Sequence, residues 1–394
     1  MKHILIVAGE ASGDLHASNL VRAMQDTGYR MQDAGLRFSG LGGEKMQEAG
    51  VELLTPFTKN AGTGLDPILK ITHFSQVFRK LVSYASKSKP DLAILVDFPD
   101  FNLRLAPRLK ALGIKVVYYI SPQIWAWRQS RVKIIQKYVD KMIVIFGFEK
   151  EFYNRFNVAA EFVGHPLLDV LDEGRSTTKE DARRALGLGK DDLVVGLLPG
   201  SRPSEFKRHF PIMQKAIQIL SNTSSPYPLP QGERVGAKSN IKYILGAAPD
   251  ITPAIINRIT KKDTPEIVSY YNRTYEILAA SDILITVSGT ITVEAALFQT
   301  PMIVIYKVPL LTELVFRPLI KTPFYAMVNI IAGKKVVPEL IQQNCTPAKI
   351  ARAVTELIDP NARSRMREEL GQVKAKLGSA GASQRAARII NEML

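Results

Sequence analysis

Residues 282–296 read Asp282-Ile-Leu-Ile-Thr-Val-Ser-Gly-Thr-Ile-Thr-Val-Glu-Ala-Ala296, and this stretch decides the fold. Residues 283–287 form a short apolar run rich in β-branched side chains, the pattern of a strand buried in a parallel sheet. Ser288, Gly289 and Thr290 then turn the chain. Residues 291–298 read as a helix, which Thr300-Pro301 ends before the next strand at 302–306. A small, hydroxyl-bearing turn between a parallel strand and a helix N-terminus offers backbone N–H groups and a favourable dipole to phosphate. Glu294 lies four residues after Thr290, so the two share one helix face. A carboxylate there can hold the hydroxyls of a ribose while the turn holds its phosphates. The competing reading is an ordinary α/β turn with a solvated Glu294.

The same logic occurs upstream. Residues 193–198 read as a strand that ends in Pro199-Gly-Ser-Arg-Pro-Ser-Glu205. Gly200 lets a ligand approach the backbone and Ser201 can donate to phosphate. Arg202 presents a fixed fork of donors suited to a pyrophosphate. Two such turns in one half of the chain are far more specific than either alone. Between them, residues 223–240 are a Pro/Gly/Ser-rich surface insertion without a core of its own. Residues 167–190 read as a linker and surface helix, and the tail from Asn361 has apolar positions for helical docking.

The first half opens on another strand, 4–7, running into Gly9-Glu-Ala-Ser-Gly-Asp-Leu-His16 and a helix. Ser12 and Asp14 are candidate N-caps. Strand, glycine-containing turn, helix opens a doubly wound domain, although Gly-x-Gly-x-x-Gly is missing. Phe38 to Leu41 gives a second strand, and Met46 and Val51 continue the alternation. Residues 92–96 are a buried strand ending in Asp97-Phe-Pro-Asp-Phe-Asn102. Carboxyl ends of parallel strands carry the chemistry, so Asp97 stands where a general base would, with Asp100 as the alternative. Either aspartate, or Asn102, could instead cap the next helix. The strand at 115–120 leads into Ser121-Pro-Gln-Ile-Trp-Ala-Trp-Arg128. This loop holds both tryptophans, Trp125 and Trp127, beside Arg128 and Arg131. Such a loop suits a sugar-phosphate or acyl site, and equally suits interdomain packing. A strand at 139–146 and another ending in Gly164-His-Pro166 follow. His165 is open to a structural or a polar-site role. Along 61–90, Ile71, Phe74, Phe78 and Leu81 follow helical spacing as an apolar stripe, widened by Leu69, Val77 and Tyr84 and interleaved with lysines and Arg79, and Leu65 precedes them. The stripe reads mainly as core-facing, with membrane contact for any exposed part.

The chain has 394 residues and is 46% hydrophobic, enough for two or three domains with sizeable cores. Its one cysteine, Cys345, excludes an intramolecular disulfide framework and a Cys-rich metal site. The apolar start meets Glu10 at once, which reads as a first strand and not a signal peptide. No run of about 18 uncharged apolar residues occurs, so no membrane span is expected. A net charge of +15 asks for an anionic partner. RNA-binding motifs are absent, which favours a membrane surface or phosphorylated substrate over nucleic acid. No carboxylate pair has a metal-binding pattern, so no metal and no cofactor are expected.

Gly9-Glu-Ala-Ser-Gly-Asp14, Asp97-Phe-Pro-Asp-Phe-Asn102, Ser121-Pro-Gln-Ile-Trp-Ala-Trp-Arg128, Gly164-His-Pro166, Leu198-Pro-Gly-Ser-Arg202, Ser288-Gly-Thr290 and Asn329-Ile-Ile-Ala-Gly333 occur together and in order. With them, over nearly its full length, the chain resembles the lipid-A-disaccharide synthase family. The resemblance implies an α/β protein of GT-B type: two Rossmann-like domains facing a central cleft, with C-terminal helices crossing back to the first. The expected boundaries are 1–166 for an acceptor- and lipid-side domain, 167–360 for a UDP-sugar domain, and 361–394 for the returning helices. It further implies a peripheral enzyme on the cytoplasmic face of a Gram-negative inner membrane. The implied substrates are UDP-2,3-diacylglucosamine and 2,3-diacylglucosamine 1-phosphate, joined with inversion into a β-1,6 disaccharide 1-phosphate. Under that chemistry Asp97 is the base, Arg202 and the two turns hold UDP, and Glu294 binds the ribose. By family analogy the turn at Asn329 closes the donor site. Ser12, Asp14, Trp125, Trp127, Arg128, Arg131 and His165 fall to the acceptor side, with Arg128 or Arg131 for its 1-phosphate. Residues 65–82 would meet acyl chains.

Two departures stand out. Where family members usually read Met-Gly-(apolar)-x-Glu, this chain has Thr63-Gly-Leu-Asp-Pro67, so the glutamate's role is lost or passes to Asp66. The 223–240 insertion is the other. A UDP-sugar 2-epimerase or the peptidoglycan glucosaminyltransferase would share the two halves but not the Trp-Ala-Trp loop together with Asp97-Phe-Pro-Asp. A non-catalytic basic lipid-binding protein would leave both phosphate turns unused.

Overall fold

The computed structural model describes residues 1–26, 35–56, 67–170, 177–222, 241–260, 264–309, 312–314 and 317–394. Leu65, Asp66, the side chain of Leu69 and the 223–240 insertion lie outside the described residues. The chain forms two compact units, Met1–Val170 with Leu377–Leu394, and Leu171–Lys376.

The first unit is built on seven strands: β1 Lys2–Ala8, β2 Leu36–Gly42, β3 Glu52–Pro56, β4 Leu92–Val96, β5 Lys115–Tyr119, β6 Lys141–Val144 and β7 Ala160–Phe162. Their order in the sheet is β3-β2-β1-β4-β5-β6-β7, and each pairing is parallel. The central strands are apolar on both faces because helices cover both. Ile4 to Val7 and Leu92 to Val96 are wholly buried. A short helix, Glu44–Glu48, holds Met46, so the alternation past Phe38 to Leu41 belongs to two elements and β3 begins only at Glu52. Helix Ala11–Asp26 buries Ala17, Leu20, Val21 and Met24 on one stripe and packs on the final helix, Ala382–Asn391. That final helix is tied down by Asp169. Its carboxylate accepts from the backbone N–H groups of Gly381, Ala382 and Ser383 at 2.6, 3.1 and 3.1 Å, a cap supplied from far away in sequence.

The second unit has six parallel strands in the order β10-β9-β8-β11-β12-β13. They are β8 Leu193–Leu198, β9 Ile241–Ala247, β10 Ile267–Tyr271, β11 Ile283–Val287, β12 Met302–Tyr306 and β13 Glu339–Ile341. Val195, Leu197, Ile283, Ile285, Ile303 and Ile305 meet Phe206, Phe210 and Met213 of helix Pro203–Asn222 and Ile350 and Val354 of helix Pro347–Ile358. Helix Pro360–Lys376 buries Leu370 and Val373 and packs on helices Ile291–Leu297 and Met327–Ala332 of this same unit. The return to the first unit therefore begins at Leu377. The edge strands β3, β10 and β13 carry no clear sequence signal. An edge strand pairs on one side only, and β10 and β13 stay half-exposed along their length, so neither needs a continuous apolar run.

Candidate active site

In the second unit the chain leaves β8 toward β9 on one side and later places β11 on the other. β8 and β11 thus form the topological switch point, where parallel sheets bind ligands at the strands' carboxyl ends. Thr286 pairs with Leu198, so the two turns foreseen as phosphate-binding begin side by side. Gly200 has φ +115°, and a Cβ there would stand 2.6 Å from Glu205 Oε2, so only glycine fits this turn. Ser201 and Arg202 are exposed, and the Arg202 guanidinium lies 3.8 Å from Glu205. Gly289 has open space where a side chain would project. One turn into the next helix, burial pushes the Glu294 carboxyl up to about 7.

Asn329 is not at the surface of this site. It is wholly buried. Its Nδ2 donates to Val337 O at 3.0 Å and Glu339 Oε1 at 2.8 Å. Its Oδ1 accepts from the N–H groups of Val336 and Val337 at 2.7 and 3.0 Å. The amide is thereby saturated, so Asn329 itself has no free hydrogen-bonding group to offer the donor site that its turn was expected to close. Glu339 in turn accepts from Tyr325 N and Ala326 N at 3.0 and 2.8 Å. The Tyr325 carbonyl accepts from Ser288 Oγ at 2.7 Å. A relay of Asn329, Glu339 and Tyr325 thus holds the turn at Ser288. Sequence reading missed Glu339 because its partners come from a different loop.

In the first unit β1 and β4 flank the corresponding switch point. Asp97 and Phe98, at the end of β4, have φ of 44° and 48°. Two successive non-glycine residues in the left-handed region are costly and persist only where surroundings enforce them. Here Asp97 N donates to Tyr119 O at 3.1 Å. The Asp97 carbonyl accepts from Tyr118 Oη at 2.6 Å and Asn102 Nδ2 at 2.8 Å. Asn102 therefore anchors the turn from inside the helix Pro99–Ala111. Burial first, and then the Glu10 carboxylate at the end of β1, push the Asp97 carboxyl up to about 6. Glu10 went unnoticed in sequence, although its place at a strand end was the available signal.

Asp100 is different. It is exposed and accepts from Arg131 at 2.5 Å, with Arg128 at 3.7 Å. Arg128 also lies over the Trp127 ring, 4.3 Å from its centroid. Asp100, Arg128, Arg131 and Trp127 thus form one cluster at the carboxyl edge of the sheet.

Several other expectations resolve into packing. Helix Ala11–Asp26 begins one residue before Ser12, so Ser12 and Asp14 lie inside its first turn and neither precedes it. Ser12 is exposed. Asp14 is buried, and its carboxylate accepts from Gly43 N, Lys45 N and Met46 N at 2.7 to 3.2 Å, capping helix Glu44–Glu48. Trp125 is 6% exposed, and its Nε1 donates to Glu149 Oε1 at 3.0 Å. It is a wall of the loop's base and not an open stacking platform. His165 is buried, its Nδ1 accepts from Leu167 N at 3.2 Å, and burial with neighbouring His16 pulls its pKa to about 3. It is a neutral packing residue against Phe146. Phe74 and Phe78 pack edge-on to Phe101 at 4.8 and 5.5 Å, so these two members of the stripe face the protein. Among the described residues no group of three His, Cys, Asp or Glu side chains could hold a metal ion, and no helix is long and apolar enough to cross a membrane.

Comparison with known proteins agrees with this architecture. Residues 4–393 match the family described as Lipid-A-disaccharide synthetase. The chain is 41% identical over 389 residues to the lipid-A-disaccharide synthase of Syntrophus aciditrophicus, covering 98% of this chain and 96% of that one. It is likewise 41% identical over 397 residues to the synthase of Geobacter metallireducens, covering 100% and 97%. The calicheamicin glycosyltransferase superposes with a TM-score of 0.58 at 15% identity over 100% and 98% of the two chains, a likeness of fold. Two parallel sheets, each switched at its centre, are the GT-B arrangement, and with the family match running almost end to end the chain belongs to the lipid-A-disaccharide synthase family of glycosyltransferases.

Proposed function

We propose that the chain transfers 2,3-diacylglucosamine from UDP to the 6-hydroxyl of 2,3-diacylglucosamine 1-phosphate, with inversion. Asp97 carries this reading: a carboxyl held at a strand end by an enforced turn and tuned to about 6, near working pH. As carboxylate it takes the proton of the acceptor 6-hydroxyl. The acceptor oxygen bonds to the anomeric carbon from the face opposite the nucleotide, and the bond from that carbon to the β-phosphate oxygen breaks. UDP leaves with the electron pair. Its charge is met by Arg202, Ser201 and the backbone of the Gly200 and Gly289 turns, which act electrostatically without a metal. Glu294 takes the ribose hydroxyls. Arg128 and Arg131 would exchange Asp100 for the acceptor's 1-phosphate. The charge of +15 supports association with an anionic inner-membrane surface from the cytoplasmic side.

The test is product formation from the two diacylated substrates in detergent with EDTA, for wild type and Asp97→Asn. Wild-type turnover with a loss of at least about 10² in the variant, whose UDP binding is unchanged, is expected. Equal rates would remove Asp97 as the base. A wild type that binds UDP without turnover would refute the substrates.

A further inference from the structure

His209 is wholly buried on helix Pro203–Asn222, the helix that follows the Gly200 turn. Both of its ring nitrogens are engaged. Nδ1 lies 3.2 Å from the carbonyl oxygen of Pro199, at the end of β8. Nε2 accepts the backbone N–H of Lys307, just past β12, at 3.1 Å. A ring nitrogen facing a carbonyl must donate, and one facing an N–H must accept, so the imidazole is the neutral tautomer protonated at Nδ1. Its neighbour Arg208 donates from Nη1 to the Lys307 carbonyl at 3.3 Å. Two successive helix residues therefore grip both polar groups of one backbone residue. The ring also stacks on Tyr306 with centroids 5.7 Å apart.

The sheet order explains why this matters. β11 lies between β8 and β12. His209 joins the two flanking strand ends and so brackets the Ser288–Thr290 turn that emerges between them. We propose that His209 is a positioning residue for the diphosphate of the donor, fixing the spacing between the Gly200 turn and the end of β12. This rests on the reading of these turns as the UDP site. Burial lowers the pKa of His209, and of its charged neighbours Arg208 opposes protonation while Glu205 favours it, so the neutral form required by both hydrogen bonds is held.

The test uses the full chain and two ligands, UDP and uridine. His209→Phe keeps the ring stack and removes both hydrogen bonds, leaving the Pro199 carbonyl and the Lys307 N–H unmet. The expected result is UDP binding weakened about tenfold or more, with uridine binding unchanged, because the loss is confined to the phosphates. His209→Gln can keep one of the two bonds and should lose less. It also provides the same ratio if the Phe variant does not fold. Equal weakening of UDP and uridine would make His209 an ordinary core residue, as would unchanged UDP binding, and either overturns the proposal. Failure of wild type to bind UDP would overturn the donor-site reading itself and this proposal with it.

Discussion

The Phe98 ring fills the space a side chain at Gly9 would need: a Cβ there would stand 2.2 Å from Phe98 Cδ1 and 2.3 Å from Cγ. The end of β1 and the strained turn after β4 are thus pressed together through one glycine. Gly9→Ala forces the whole ring to move, and with it the backbone of Asp97. We expect a destabilisation of about 1–3 kcal/mol by denaturant unfolding. We also expect a fall in kcat that exceeds any change in UDP affinity.

Asp97 must be ionised to accept a proton. Below about pH 6 the rate kcat/KM should therefore fall, approaching about tenfold per pH unit. The Glu10 carboxylate is part of what raises this pKa. Glu10→Gln should move the acid limb to lower pH while leaving the plateau in place. An acid limb at the same pH in both proteins would mean that the limb belongs to another group.

Glu149 makes stability depend on pH. It loses its proton near 4.5 in the unfolded chain, but burial holds the proton to about 8 in the folded one. The folded state binds the extra proton between these values. Stability from this group is complete below 4.5 and declines by about 1.4 kcal/mol per pH unit until pH 8. Asp97 and Glu294 act in the same sense only up to about 6 and 7. Between pH 7 and 8, then, wild type should lose stability on thermal or urea unfolding while Glu149→Gln stays nearly flat. Trp125, which donates to Glu149, should report the same titration in its fluorescence.

Gly200→Ala places a Cβ against Glu205 at a φ of +115°. The turn must open, at a cost of about 1–3 kcal/mol. UDP affinity should drop about tenfold or more by calorimetry, since the turn's backbone would no longer face the phosphates together. A variant that binds UDP like wild type would remove this turn from the donor site.

Much of the fold is legible in the chain because buried parallel strands write themselves as continuous apolar runs. β1, β4, β8, β11 and β12 are all read this way, and both phosphate-type turns follow from where those runs stop. Of the edge strands, β3, β10 and β13 escape notice because one-sided pairing imposes no such run, whereas β7 was marked by the Gly164-His-Pro166 turn that ends it.

What sequence alone determined is the set of strand ends at which polar residues gather: Asp97 after β4, Gly200 to Arg202 after β8, and Ser288 to Thr290 after β11. Tertiary structure decided which of the gathered side chains are free to act. Asp14, Trp125, His165 and Asn329 have the same chemistry as active-site groups, yet each is committed to a partner brought from another segment: the Gly43 turn, Glu149, the Leu167 N–H and Glu339. His209, which drew no notice, spans two strand ends. A hydrogen bond is satisfied in space and not along the chain. Spacing can therefore place a polar residue at the site, while only the fold determines whether its lone pairs and protons are already spoken for.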